Sequence, residues 1–271
     1  MRRILAVAFL YLLAKSMSAP LLGMQAGPVI SPPNPDSSKS GILVELFTSE
    51  GCSSCPPADE LLRKLDAQRN TSQSQIVVLG EHVDYWDRIG WRDRFSSHEY
   101  TDRQEEYARR FGISGPYTPQ MVVDGRHEFV GNDSHSLEAA LRVASAEAKA
   151  LVSISASDID GNDLILKLEA SALPEGHKRG DLYIGVAENS DETRVGGGEN
   201  SGRQLRHVAV LRSLQKVAKV GPEGTQKDVT LHLPKDLARD NLRVVAFVQE
   251  PGNGAVLGSA VRIVSQKVST Q

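Results

Sequence analysis

With 271 residues, 40% of them hydrophobic, the chain is long enough for two ordinary globular domains and too apolar for a disordered protein. A formal net charge of -3 and a pI near 6.2 provide no broad basic field, which argues against nucleic acid or an anionic membrane surface as a partner. No stretch after the N-terminus is apolar enough to span a bilayer.

The N-terminus reads as a secretory signal peptide over residues 1–26. Arg2 and Arg3 precede the apolar run Ile4 to Ala14, which is too short for a stable membrane anchor, and small residues and glycines follow. Ala26 is the preferred cleavage site over Ala19, because a proline follows Ala19. The expected location is periplasmic or secreted, with no membrane contact after cleavage. Residues 27–40, GPVISPPNPDSSKS, read as a Pro/Ser-rich linker.

Gly41 to Leu65 reads as a buried strand, a tight turn and a helix. Ile42 to Phe47 is a β-rich apolar run interrupted only by Glu45, and Ser49, Glu50 and Gly51 break it before Cys52. Pro56 and Pro57 suit a first helical turn, and Ala58, Leu61, Leu62 and Leu65 recur on one face. Cys52 and Cys55, the chain's two cysteines, therefore fall at a helix N-terminus. Unpaired N–H groups and the helix dipole there lower a thiol's pKa, which makes Cys52 the expected attacking thiolate and Cys55 the resolving thiol. C-x-x-C between a strand and a helix is a thioredoxin-like redox signature. A structural disulfide is the plain alternative, although a loop of about four residues adds only about 2 kcal/mol by loop entropy.

Ile76 to Leu79 reads as a second, parallel strand closing a right-handed βαβ unit, after the polar loop Gln68 to Gln75. The segment after it, EHVDYWDRIGWRDRF, is thereby delivered beside the cysteines. Its His82, Asp84, Tyr85, Trp86 and Trp91 are the candidate substrate surface, with Asp87 nearby; alternatively the tryptophans cap the core. Arg94 to Phe111 reads as a polar helix ended by Gly112. Thr118 and Pro119 precede the hairpin that begins at Met121, and their bond is assigned as a cis peptide facing the disulfide, with Pro119 presenting backbone to a substrate segment. Leu137 to Leu151 reads as a helix, completing a β-α-β-α-β-β-α order over residues 41–150.

Beyond Leu151 the pattern changes to short alternating strands. Val152 to Ala156, the turn Asp160-Gly161 and Leu164 to Leu168 form a hairpin, and strands follow at Leu182–Ala187, His207–Leu211, Val229–Leu233, Leu242–Val248 and Val256–Ile263. The expected fold is thus an α/β thioredoxin-like domain followed by an all-β immunoglobulin-like sandwich over residues 151–271. The stretch Val195-GGGENSGRQLRH207 lacks the third glycine and the following helix of a nucleotide loop. It reads as a long flexible hairpin loop whose Glu199, Asn200 and Arg203 are candidates to reach the first domain's site.

The runs ELFTSEGCSSCPPAD, HVDYWDRIGWRDRF, TDRQEEYARRFG, YTPQMVVDG and GGGENSGRQLRH resemble the bacterial secreted family numbered twelve twenty-three among the domains of unknown function, over nearly the whole mature chain. The resemblance implies a thioredoxin-like domain, an envelope location and Cys52 and Cys55 as the redox pair, and it implies no substrate. Ser53-Ser54 stands where thioredoxins carry Gly-Pro, so the direction of exchange stays open. The leading expectation is an exported thiol-disulfide oxidoreductase acting on protein thiols or disulfides of the bacterial envelope, without a cofactor. The alternatives are a Cu(I) or Zn site or metallochaperone built from Cys52, Cys55, His82 and Asp84, and a non-catalytic binding module.

Overall fold

The computed structural model describes residues 41–68, 75–160, 162–233 and 237–264. The expected signal peptide and linker lie outside them, as do most of the polar loop 68–75 and Gly161 of the predicted turn.

The first half follows its sequence pattern. Strand β1 (Gly41–Thr48), helix α1 (Pro56–Ala67), β2 (Gln75–His82), α2 (His98–Phe111), β3 (Gln120–Val123), β4 (His127–Val130) and α3 (Ser134–Ala146) occur in the predicted order. β1 pairs in parallel with β2 and antiparallel with β3. Helix α2 starts at His98 rather than Arg94, because Ser97 caps it by accepting a hydrogen bond from the Glu99 N–H. It ends where Gly112 takes the left-handed conformation at φ 67°. Helix α3 stops at Ala146, short of the predicted Leu151.

β1 is buried along its whole length, so its one charged residue needs partners inside the protein. Arg103 and Tyr107 of α2 both donate to Glu45, the guanidinium at 2.7 Å and the phenol at 2.6 Å. Burial and the neighbouring Glu45 push the buried Glu81 carboxyl of β2 well above the usual carboxylate range.

The expected fold class is overturned by the second half. All seven predicted strands are present: β5 (Val152–Asp160), β6 (Asp163–Ala170), β7 (Gly180–Arg194), β8 (Gln204–Val220), β9 (Thr225–His232), β10 (Leu242–Gln249) and β11 (Val256–Val264). They do not form an immunoglobulin-like sandwich behind a thioredoxin-like domain. Four of them join the first half in one mixed eight-stranded sheet of order β11-β10-β7-β8-β2-β1-β3-β4, and β5-β6-β9 form a separate three-stranded sheet. The seam is the parallel contact of Gly80 on β2 with Val210 on β8. A β-carbon on Gly80 would lie 3.2 Å from the Val208 carbonyl oxygen, so glycine lets the two backbones meet.

The core is shared accordingly. Leu43, Val77 and Leu79 from the first half pack with Ala187, Leu211, Val245 and Phe247 from the second in one buried cluster. The opposite face of β1 and β2 packs against Ala58, Leu62 and Leu65 of α1 and Leu137 and Ala144 of α3. The three-stranded sheet covers the far end through Leu164, Leu166 and Leu168, which meet Leu182, Ile184 and Val244.

Candidate functional site

β1 ends at Thr48, a turn follows, and Cys55 is the N-cap of α1. Cys52 and Cys55 are joined by a disulfide with their Cα atoms 5.4 Å apart. Both cysteines are fully buried, whereas Ser53 and Ser54 between them are exposed. The Cys52 N–H donates to the Ser49 carbonyl at 3.2 Å, and the Cys55 N–H to the Cys52 carbonyl at 3.2 Å. The helix N-terminus offers a thiolate fewer donors than the sequence led us to expect. Pro56 and Pro57 carry no N–H, and the Ala58 and Asp59 N–H groups already donate to the Cys55 carbonyl. A side chain stands in, as the Cys52 sulfur lies 3.4 Å from Ser54 Oγ.

The segment after β2 brings only part of its predicted set to the cysteines. Trp91 donates from its indole to Glu50 Oε2 at 2.7 Å, two residues before Cys52. Trp86 packs on Gly51, where a β-carbon would lie 3.3 Å from its own, and donates to Thr118 Oγ1 at 2.7 Å. The Thr118-Pro119 peptide is cis. Pro119 and Ala58 of α1's first turn converge on Gly131, whose added β-carbon would lie 3.0 and 3.2 Å from theirs. Tyr85 donates to Gln104 at 3.1 Å, and burial pushes its phenol up to about 12. Asp84 is diverted to α2, accepting from Thr101 Oγ1 at 2.6 Å and facing His98 at 3.1 Å. Asp87 accepts from the Asp93 N–H and the Ser96 hydroxyl, which shapes the loop.

His82 turns inward. Its Nδ1 lies 2.6 Å from Asp93 Oδ2, both side chains are buried, and its ring meets those of Phe95 and His207 edge-on at 5.2 and 4.8 Å. Asp93 also accepts from the N–H groups of Glu50 and Phe95, each at 2.9 Å. Burial works against its charge, but the His82 charge and these hydrogen bonds outweigh it and hold the carboxyl at about 2. Burial likewise opposes charge on His82, yet Asp93, Asp59 and Glu50 raise its pKa overall. Glu50 is lowered despite burial by the nearby His207 ring, the Thr193 hydroxyl and the Trp91 indole that donates to it, while burial raises the Asp59 carboxyl, which accepts from Thr48 Oγ1 at 3.0 Å. Glu50, Asp59, Asp93 and His207 were not singled out from the sequence. Their only signal was proximity to the cysteines, or membership of runs in which other residues drew attention.

The β7–β8 connection supplies the rest. Far from being loose, it is fastened to the cysteine turn: Asn200 Nδ2 donates to the carbonyls of Glu50 and Cys52 at 2.9 Å each, and the Ser53 N–H donates to Glu199 at 3.1 Å. Arg203 donates to Asn200 Oδ1 at 2.8 Å. The glycines permit the fit, since a β-carbon on Gly196 would sit 3.0 Å from the Trp91 ring.

Residues 43–249 match the family described as Protein of unknown function (DUF1223). The chain belongs to that family. A crystal structure of an Agrobacterium tumefaciens protein is 25% identical and superposes with a TM-score of 0.63, covering 85% of this chain and 97% of that one. HBP35 of Porphyromonas gingivalis is 15% identical with the same TM-score, 0.63, over 86% of this chain and 78% of its own, a likeness of fold alone. No curated protein is similar enough in sequence to count as a relative.

In this DUF1223 protein the site combines a buried disulfide, a half-buried tryptophan pair and an enclosed carboxylate–histidine array. Among the described residues, no group of three or more His, Cys, Asp or Glu side chains is arranged to hold a metal ion. His82 is spoken for by Asp93, and Asp84 by Thr101 and His98.

Proposed function

We propose that the protein carries out thiol-disulfide exchange at Cys52–Cys55 on protein thiols or disulfides of the bacterial envelope. The observation that carries the proposal is the disulfide between the N-cap of α1 and the turn before it, the place where a thiol's reactivity responds most to its surroundings. In the dithiol form the Cys52 thiolate attacks a substrate disulfide, its sulfur bonding to one substrate sulfur while the other leaves as a thiolate and takes up the proton lost from Cys52. Cys55 then attacks Cys52 in the mixed disulfide, reforming the intramolecular bond and releasing the second substrate thiolate. Trp86, Trp91 and Thr118 form the surface that meets the substrate, and Pro119 lies beside it. Export rests on Arg2, Arg3 and the apolar run that follows.

A structural clasp is the second reading, favoured by the complete burial of both cysteines. Equilibration in glutathione buffers of graded potential, followed by alkylation, separates the two. Exchange predicts a midpoint above about -300 mV, and a pair that stays oxidised below that value is structural.

A further inference from the structure

The turn that carries Cys52 is not held by its own half of the chain alone. Cys55 is fixed by the helix, its carbonyl accepting from Ala58 and Asp59. Cys52 lies in a turn between β1 and α1, and its backbone is tied within that turn to Ser49 and Cys55. Glu199 holds the Ser53 N–H and Asp93 the Glu50 N–H from outside, and Asn200 takes the carbonyls, its single amide nitrogen donating to those on both sides of Gly51. Asn200 is fully buried, and Arg203 orients it through Oδ1, so the amide presents a preset two-pronged donor.

We infer that Asn200 is a positioning residue for the Cys52–Cys55 couple: it holds Cys52 where its sulfur can reach Cys55, and so sets how readily the disulfide opens. A disulfide closes only when the two Cα atoms lie within about 4.4–6.8 Å with their side chains directed at each other. In the dithiol the sulfurs separate, and a turn that has lost the hold on its two carbonyls gains conformational freedom that closure must remove again. Holding the turn therefore raises the effective concentration of one thiol at the other. The inference rests on the exchange proposed above, yet it is measured separately from it.

The test is the equilibrium with glutathione. The Cys52–Cys55 bond breaks, a glutathione disulfide forms, and the two thiol protons of glutathione end on Cys52 and Cys55. Asn200→Ala is expected to lower the constant for disulfide formation about tenfold, which is about 30 mV toward easier reduction. Arg203→Ala, which keeps both donors but frees the amide, is expected to lower it about threefold. Leu205→Ala, a buried residue on the same hairpin that touches neither carbonyl, is expected to lower the unfolding midpoint and leave the constant within about twofold of wild type. An unchanged constant in Asn200→Ala overturns the inference, as does an equal shift in Leu205→Ala. Should Asn200→Ala fail to fold, the comparison of Arg203→Ala with Leu205→Ala decides. A wild-type pair that glutathione cannot reduce sinks the exchange proposal instead, and the same comparison in dithiothreitol buffers still decides the role of Asn200.

Discussion

Arg243 on β10 grips Asp66 on α1 through two hydrogen bonds, at 2.7 and 3.0 Å, with both residues buried. The pair spans 177 residues of sequence and ties the helix behind the cysteines to a strand of the second half. Arg243→Ala removes the guanidinium from a buried carboxylate, which is expected to cost about 3 kcal/mol. Urea unfolding followed by tryptophan fluorescence and far-ultraviolet dichroism measures it. Because the core is shared, one transition should be lost as a unit by both probes; two separated transitions would show that the halves fold independently after all.

The strand pattern explains how much of this was legible. Local periodicity located every strand of the second half, because inward apolar residues such as Leu164, Leu166 and Leu168 alternate along it. Partner choice is another matter. β7 and β8 run 15 and 17 residues, well past the predicted Leu182–Ala187 and His207–Leu211. Their polar ends, including Glu192 and Arg206, which pair at 2.7 Å, read as loop in sequence yet remain laddered across the hairpin. The single Gly80–Val210 contact that merges the halves into one sheet leaves no mark on hydrophobic periodicity. At the site, Cys52, Cys55, Trp86 and Trp91 stood out by residue type. Asn200 acts through backbone carbonyls more than 140 residues away, a relation no local spacing encodes.

The glycine run is a packing requirement, and two substitutions separate that from mere backbone freedom. A β-carbon on Gly197 would lie 2.4 Å from the Gly90 carbonyl oxygen, whereas Gly202, at φ 82°, has nothing within 4 Å. Gly202→Ala should cost about 1 kcal/mol from the left-handed conformation alone. Gly197→Ala must push the loop off Gly90 and Trp91 and should cost about 3 kcal/mol. Equal costs in thermal unfolding would mean that close approach does not seat the loop.

The His82–Asp93 pair gives stability a pH window with two opposite edges. Asp93 falls from an ordinary 3.8 to about 2 in the folded protein, so its contribution is complete above about pH 4 and is lost as pH falls toward 2. His82 is raised above 6.5, so its contribution is complete below that value and is lost as pH rises through the folded pKa. Glu50, Asp59 and His207 surround the pair, so a difference between variants isolates it best. Wild type minus Asp93→Asn should be largest between about pH 4 and 6.5, by about 2 kcal/mol, and should shrink on both sides. A difference that stays flat from pH 2 to 9 in urea titrations would remove the pair from the stability of the site.

Trapping tests the division of labour between the cysteines. Cys55 has its carbonyl locked into the first turn of α1, whereas Cys52 sits in the non-helical turn beside the exposed Ser53 and Ser54, and the proposed exchange assigns it the attack on a partner. Cys55→Ala should leave a Cys52 thiol that captures substrates as mixed disulfides, and Cys52→Ala should capture none. Because Pro56 and Pro57 remove two N–H groups from the helix end, the Cys52 pKa in Cys55→Ala should be lowered less than that of a thiol at a helix end whose N–H groups are all present. Iodoacetamide alkylation across pH measures it, and Ser54→Ala, which removes the hydroxyl 3.4 Å from the sulfur, should move it back up. Equal trapping by both variants, or a Cys52 that alkylates no faster than a free thiol while neither variant traps, would reverse the assignment of Cys52 as the attacking sulfur.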